Sequence, residues 1–197
     1  MTRPSGSAIA LLRRFGLRAA GPVRWGEPPL TRAPGIYIVE LPGKLPVAPL
    51  DPTVIARWSR RVPTMTVDGA SATVPSLSDR LASFWIPSAS VLYIGQASGT
   101  VRGRVGDYYS TPLGDRRPHA GGHWIKTLDC LADCLVWSSA TDDYDAAERE
   151  LLDEFARTVP PPERRALYDP WLVLPFANLQ DGRRVRKRHG IGGARIR

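Results

Sequence analysis

The stretch GIYIVEL at residues 35–41 and the stretch SVLYIG at residues 90–95 decide the fold that the sequence predicts. Both are runs of β-branched and aromatic residues, a composition that favours strands. A glycine-containing loop follows the second strand, and we expect a helix over residues 101–109 after it. If the two strands pair, the side chains of Tyr37 and Tyr93 lie close together.

Further elements are expected on both sides of these strands. Capping residues and apolar periodicity predict the helices, since carboxylates and hydroxyls satisfy the first free N–H groups of a helix. The predicted helices are 7–15 (capped by Ser7), 51–61 (capped by Asp51), 76–85 (capped by Ser76), 124–128, and 142–157 (opened by Asp142, Asp143 and Asp145); the further predicted strands are 64–67 and 131–138. Together they indicate an α/β fold of the α+β type, with helices around a small, mainly antiparallel central sheet.

Length and composition indicate one ordinary folded domain with decorations. The chain has 197 residues, of which 43% are hydrophobic and 23% are charged, so a disordered, collagen-like or disulfide-scaffold chain is excluded. We expect a basic extension over residues 1–34 and a main domain over residues 35–180 that contains an inserted helical subdomain at about 44–90. Residues 181–197 place cations among glycines, which predicts a flexible basic tail.

The charge balance points to a polyanionic partner. The formal net charge is +8, which favours nucleic acid. Of the 27 basic residues 24 are arginines, whose planar guanidinium binds phosphate in a bidentate manner, although arginine-rich codon usage would give the same composition. An anionic membrane is a weaker alternative, because the basic tail lacks the bulky apolar face of an interfacial helix.

The cysteines and the N-terminal residues predict a cytoplasmic protein. Cys130 and Cys134 are too few for a disulfide framework, and the apolar opening at 8–12 is too short for a signal peptide or a membrane span. With His119 and His123 the cysteines form H-x₃-H-x₆-C-x₃-C, four residue types that bind zinc. The spacing matches no common zinc finger. Buried small hydrophobes are therefore the favoured interpretation of the cysteines, and a zinc-stabilised interaction protein is the alternative.

Five segments together resemble the GIY-YIG endonuclease family. GIY at 35–37 and YIG at 93–95 are the two half-motifs for which the family is named. VRGRVGDY at 101–108 is similar to the family's arginine helix, AERELL at 147–152 to its glutamate segment, and LPFAN at 174–178 to its closing asparagine segment.

The resemblance implies a metal-dependent endonuclease that cuts DNA and leaves 5′-phosphate and 3′-hydroxyl ends. It implies a catalytic set that consists of Tyr37, Tyr93, Arg104, Tyr108, Glu148 and Asn178. Within this set Glu148 would hold Mg²⁺ or Mn²⁺, and a tyrosine would act as general base or orient the attacking water. In many relatives a short hairpin connection joins the two motif strands, whereas 55 residues separate Tyr37 from Tyr93 here. Some restriction-type relatives carry an insertion at this place.

The same residue types suit phosphodiester hydrolysis on physical grounds. The reaction needs an activated water and a cation where negative charge develops on the phosphate. Arg104 can bind the phosphate through two parallel N–H groups, and Glu148 can hold a hydrated Mg²⁺ together with phosphate oxygens. Tyrosine has an ordinary pKa of about 10, so a base role requires the metal and Arg104 to lower the pKa of a tyrosine.

Cationic and histidine side chains in the arginine helix, the loop that follows it and the tail are candidates for phosphate contacts. They are Arg102, Arg116, Arg117, His119, His123, Arg183, Arg184, Arg186, Lys187 and Arg188. For each of them a solvated surface charge is the structural alternative. DNA is the expected partner and RNA an alternative, and sequence specificity would come from the insertion, the loops, the basic ends or a homodimer. The rival function is a non-catalytic nucleic-acid-binding module with the same fold.

Overall fold

A four-stranded antiparallel sheet forms the centre of the computed structural model, which describes residues 7–119 and 122–194. The strands are β1 (Ala20–Arg24), β2 (Gly35–Glu40), β3 (Thr66–Val67), β4 (Ala70–Ser71), β5 (Val91–Ala97), β6 (Leu135–Ala140) and β7 (Ile191–Gly192). The central sheet has the order β1-β6-β2-β5, and each neighbouring pair is antiparallel. The second sheet, β4-β3-β7, is also antiparallel. The predicted α+β class with an antiparallel central sheet is confirmed.

Helices flank the central sheet. Those in the described residues are α1 (Ala8–Arg14), α2 (Pro52–Arg61), α3 (Val74–Ala82), α4 (Val101–Ser110), α5 (Tyr144–Thr158) and α6 (Pro161–Ala166). Ser7 and Asp51 cap α1 and α2 as predicted, because their side chains accept backbone N–H groups of the first turn. The prediction that Ser76 caps α3 is wrong. Thr73 is the cap, and Ser76 is the third residue of the helix, where its hydroxyl completes a capping box.

Three predicted stretches differ in detail from the observed elements. The stretch predicted as a strand over 131–138 begins with a turn of 3₁₀ helix, Leu131–Asp133, before β6 starts. The prolines that end α5 also begin α6, because proline is accepted in the first turn of a helix, where its missing N–H is not needed. The helix predicted over 124–128 is a 3₁₀ helix, His123–Thr127.

The two faces of the central sheet pack against different elements. Tyr37, Val39 and Tyr93 point to one face, where they join apolar side chains of α2, α3 and α4. Ile36 and Ile38 point to the other face, which packs against α1 and α5. The alternation follows from the two-residue period of a strand. Because both faces are covered, every residue of β2 is buried.

The N-terminal residues are part of the main domain rather than an extension of it. Leu11 and Leu12 on α1 are buried in the core, and β1 pairs with β6 at one edge of the central sheet. The buried Glu40 carboxylate at the end of β2 accepts the Ala8 N–H at 3.0 Å, so it satisfies the start of α1. It also accepts the indole N–H of Trp137 at 2.9 Å.

The described part of the basic tail is folded rather than flexible. β7 pairs with β3 of the insertion, so that the tail and the insertion share one small sheet. Gly190 and Gly193 have positive φ angles of 66° and 60°, and a Cβ on either would lie within 3 Å of neighbouring atoms. These glycines therefore allow a tight turn and a close approach, whereas the sequence pattern predicted flexibility from the same residues.

Two further features bear on the environment of the protein. Cys130 and Cys134 both carry free thiols, and Cys134 is buried. Among the helices of residues 7–119 and 122–194, none has the length and apolar character needed to cross a membrane.

Candidate active site

A cleft of about 1090 Å³ brings together most of the residues that the sequence predicts as catalytic. The lining includes Tyr37 on β2, Tyr93 on β5, Arg104 on α4, Glu148 on α5 and Asn178 in the segment after α6. Tyr108 does not line the cleft. It lies behind the other tyrosines, with its ring centroid 5.3 Å from that of Tyr93. Five separate parts of the chain thus supply these five side chains.

The pairing of β2 and β5 brings the two motif tyrosines onto one face. Tyr37 is opposite Gly95, and Tyr93 is opposite Val39, so the tyrosines are diagonal neighbours with ring centroids 5.8 Å apart. A Cβ on Gly95 would lie 2.6 Å from Tyr37 Cζ and 2.6 Å from Tyr93 Cε1. Both rings therefore occupy space that is open only because residue 95 has no side chain.

His119 belongs to this tyrosine cluster. The Tyr37 hydroxyl lies 2.8 Å from His119 Nε2 in a buried hydrogen bond, in which the tautomer of the imidazole decides which atom donates. The His119 ring stacks on Tyr108 with the centroids 4.3 Å apart, and the Tyr108 hydroxyl donates to the Gly122 carbonyl. The structure gives no support to the predicted phosphate contact of His119, since its side chain is completely buried and does not line the cleft.

Burial keeps the tyrosine hydroxyls protonated. It raises the pKa of Tyr37 well above the ordinary value; Tyr93 and Tyr108 add to this shift, and Arg104 opposes it. Burial, with the nearby charge of Glu148, raises the pKa of Tyr93 to about 12. Arg104 thus lowers both pKa values in the expected sense, but desolvation outweighs it. Neither side chain is a phenolate at neutral pH in this environment.

Glu148 and Arg104 are two charged residues of the cleft that influence each other electrostatically. Burial, with repulsion from Asp145, raises the pKa of the half-buried Glu148 carboxyl to about 7, while Arg104 opposes the shift. In the part of the chain that is described, the Glu148 carboxylate forms no hydrogen bond or ion pair with the protein. Arg104 acts electrostatically on Tyr37 and Tyr93 as well as on Glu148, so it lies near all three side chains. Its Nη1 donates to the Pro118 carbonyl at 3.3 Å.

Asn178 supports the edge strand of the sheet. Its Oδ1 accepts the backbone N–H of Ile94 at 2.9 Å, and its Nδ2 donates to the carbonyl of the same residue at 2.8 Å. β5 is an edge strand, so these backbone groups have no strand partner on that side. Both ends of the Asn178 amide are therefore used to hold the strand between Tyr93 and Gly95.

The candidates for phosphate contacts divide into three groups. Arg116 and Arg186 line the cleft. The structure gives no support to the predicted contacts of His123 and Lys187, because both side chains are buried and neither lines the cleft. Lys187 Nζ donates to the carbonyls of Pro175 and Phe176. Five remaining candidates are not among the described residues that line the cleft; they are Arg102, Arg117, Arg183, Arg184 and Arg188. The guanidinium of Arg183 is held by Asp153 on α5 at 2.7 and 2.9 Å.

The side chains that could bind a metal ion fit Mg²⁺ better than Zn²⁺. Within residues 7–119 and 122–194, no three His, Cys, Asp or Glu side chains converge as a metal site, which gives the zinc alternative no support. Mg²⁺ needs fewer protein ligands, since it keeps several waters and binds one or two carboxylates plus substrate phosphate oxygens. A desolvated carboxylate that lines the cleft, Glu148, fits that requirement.

Some cleft residues escaped sequence reasoning. Gln96 directly follows the second motif, and its Nε2 donates to Asp145 Oδ1 at 2.7 Å, which ties the end of β5 to the first turn of α5 and so to Glu148. His189 lines the cleft from the tail. No sequence signal marks either contact, because each depends on elements that are distant in the chain.

No protein-family model, no curated protein and no solved structure matches this chain.

Proposed function

We propose that this protein is a metal-dependent endonuclease of the GIY-YIG type that hydrolyses DNA phosphodiester bonds. The observation that carries the proposal is the convergence of Tyr37, Tyr93, Arg104, Glu148 and Asn178 on one cleft. These residues come from short motifs spread between 35 and 178, and their meeting in one cleft supports the interpretation that the motifs build one site.

Tyr37 would activate the water. Its hydroxyl cannot lose a proton to solvent at neutral pH, because burial raises its pKa. The 2.8 Å hydrogen bond to His119 Nε2 offers another route: a neutral imidazole takes the phenol proton while the phenol oxygen takes a proton from the attacking water. The water oxygen then bonds to phosphorus, the bond from phosphorus to the 3′-oxygen breaks, and the 3′-oxygen takes a proton from solvent.

Arg104 and Glu148 would act on the phosphate. The Arg104 guanidinium can form two parallel hydrogen bonds to the phosphate oxygens, where negative charge grows in the transition state. Glu148 would hold Mg²⁺ or Mn²⁺, and its pKa of about 7 allows the ionised form that a metal ligand needs. When bound, the metal supplies Lewis-acid stabilisation of charge on the phosphate and on the leaving oxygen. The products would carry 5′-phosphate and 3′-hydroxyl ends.

The expected setting is the cytoplasm, with DNA as the partner and RNA as the alternative. Two free thiols, one of them buried, are consistent with a reducing compartment. A homodimer would allow one protein to cut both strands of a duplex, since a two-fold assembly presents two equivalent sites.

Plasmid cleavage tests the proposal. Supercoiled plasmid is incubated with the wild-type protein, Glu148→Gln and Glu150→Gln, each with Mg²⁺, Mn²⁺ or EDTA, and the fragment ends are sequenced. Glu150 is the matched control, because it is an exposed glutamate on the same helix. We expect metal-dependent cutting by the wild type and Glu150→Gln only. If no variant cuts but all retard the plasmid in a gel, the non-catalytic nucleic-acid-binding module is the better interpretation.

A further inference from the structure

The segment 178–194 forms one wall of the cleft. Asn178, Asp181, Arg186 and His189 line the cleft from this segment, and Thr100 and the arginine helix line it from elsewhere. The segment turns back at Asp181, whose carboxylate accepts the backbone N–H groups of Arg183 and Val185 at 2.9 and 2.8 Å.

Contacts outside the cleft fix this wall along its length. The buried Lys187 ammonium donates to the Pro175 and Phe176 carbonyls at 3.2 and 3.1 Å and lies 5.0 Å from the ring centre of Phe84. The Arg188 N–H donates to the buried Asp169 carboxylate at 2.8 Å.

The insertion supplies the remaining anchors. Arg80 on α3 donates to the His189 carbonyl at 2.8 Å and is itself held by Asp68 at 2.5 and 3.0 Å. Beyond this point β7 pairs with β3. Anchors therefore occur at almost every residue from 187 to 192, and they leave the cleft side of the segment uncovered.

The cations of the segment differ in what they face. Lys187 points inward and Arg183 is paired with Asp153, so neither presents a charge to the cleft. Arg186 is exposed and lines the cleft, and within the described residues its guanidinium has no ion pair. The acid beside it, Asp181, is already engaged by the backbone of its own turn.

We propose that residues 178–194 are a backbone-binding wall for a polynucleotide strand, in which Arg186 contacts a phosphate that flanks the scissile one. The inference rests on the proposed function and deepens it. A cleft of about 1090 Å³ exceeds what a single drug-sized ligand needs, so it suits a stretch of a polymer. If Arg104 holds the scissile phosphate, Arg186, which lines the same cleft, can contact a neighbouring phosphate of the same strand.

A fixed wall has an energetic consequence that a flexible arm lacks. An arm that orders on binding loses conformational entropy at that moment, whereas the anchored segment is already ordered before the strand arrives. The insertion then has a specific role. Through Arg80 and β3 it holds residues 189–192 of the wall in place.

Binding measurements that are separate from cleavage test the wall. In a Glu148→Gln background, which does not cut, the affinity for a short fluorescent DNA duplex is measured by anisotropy over a range of salt concentrations. We expect Arg186→Gln to weaken binding about tenfold, because a charge-assisted hydrogen bond is lost. The slope of log K against log salt should fall in magnitude by about 0.9, the value for one phosphate contact on duplex DNA. Arg165→Gln, an exposed cation on α6 that does not line the cleft, is the matched control and should leave the slope unchanged.

Neutral phosphates locate the contact. Methylphosphonate groups are placed singly around the mapped cleavage position. For the parent protein, which is Glu148→Gln with Arg186 intact, we expect one flanking position to weaken binding. That position should have no effect on Arg186→Gln. If Arg186→Gln and Arg165→Gln bind alike and show the same methylphosphonate pattern, the wall proposal is wrong, and this result leaves the proposed endonuclease function unaffected. If the parent protein itself binds no duplex and no single strand, the proposed function fails together with the wall.

Discussion

The ring of Tyr37 covers Gly95 on the neighbouring strand so closely that the space for a Cβ is already filled by Tyr37 Cζ, at 2.6 Å. A methyl group at residue 95 must therefore displace Tyr37, Tyr93 or both. The two tripeptides, GIY on β2 and YIG on β5, are thus physically linked by the contact between Tyr37 and Gly95.

Gly95→Ala should reduce both the rate of cleavage and the stability of the protein. We expect the rate of plasmid cleavage to fall about 100-fold, because a displacement of about 1 Å from the reactive geometry has this effect. Overpacking should lower the free energy of unfolding by about 1–3 kcal/mol. Cleavage rates and urea denaturation measure the two effects. Gly106→Ala on α4 is the control, since a Cβ there meets no atom within 4 Å, and its activity should equal that of the wild type. Full activity of Gly95→Ala would contradict the tyrosine site.

His119→Gln should test the proton route from Tyr37. Glutamine can still hydrogen-bond the Tyr37 hydroxyl but cannot accept its proton, so we expect the single-turnover rate to fall by about 10²–10⁴-fold.

The double variant with Tyr37→Phe sharpens this test. Because the two residues act as one unit, it should be no slower than the slower single variant. Losses that multiply independently in the double variant would show that His119 only packs against the tyrosines.

Asn178→Ala should lower stability and activity together. The substitution leaves the buried N–H and carbonyl of Ile94 without their side-chain partner, and each such group costs about 1–3 kcal/mol. Thermal unfolding and cleavage assays measure both losses. Glu148→Gln provides the contrast, because it should abolish cleavage without lowering the melting temperature. If Asn178→Ala loses activity at unchanged Tm, Asn178 contacts the substrate rather than supporting β5.

Lys187 should make stability rise with pH above neutrality. Burial lowers its pKa to about 7, whereas the ordinary value is 10.5, so between these values the unfolded chain binds the additional proton. The free energy of unfolding should therefore increase with pH, by at most about 1.4 kcal/mol per unit for this one group. Lys126, with a pKa of about 8, adds a slope of the same sign at higher pH.

Urea denaturation at a series of pH values measures this slope. Between pH values of about 7 and 8, Lys187→Met should flatten the dependence, because that interval lies above the pKa of Lys187 and below that of Lys126. Parallel profiles for the wild type and Lys187→Met would show that Lys187 keeps its proton in the folded protein throughout this range.

Local signals account for what the sequence could predict. β2 and β5 are continuous apolar runs with β-branched residues, and Ser7 and Asp51 cap their helices through contacts a few residues away. Each catalytic candidate lies in a short motif, and the strands and helices that carry these motifs determine where the side chains meet.

Long-range contacts account for what the sequence could not predict. β1 is short and contains Pro22, which gives no strand signal, and it forms only because β6 offers an edge. The tail combines arginines and glycines, a composition shared by flexible arms and by close-packed turns, and only the position of β3 distinguishes the two. The contact between His119 and Tyr37 is also long-range, because the path of an irregular loop brings His119 to Tyr37.

The pairing of β7 with β3 also orders events during synthesis. Residues 66–67 leave the ribosome long before residues 191–192. Strand β3 therefore cannot pair with β7 until almost all of the described chain has been made. A nascent chain that ends before residue 178 already contains Tyr37, Tyr93, Arg104 and Glu148 but lacks the amide that holds β5 and the wall across the cleft. Under the proposed function, a truncated product would carry the reactive groups without a complete site, and competence to cut would arrive only after residues 178–194 have been translated.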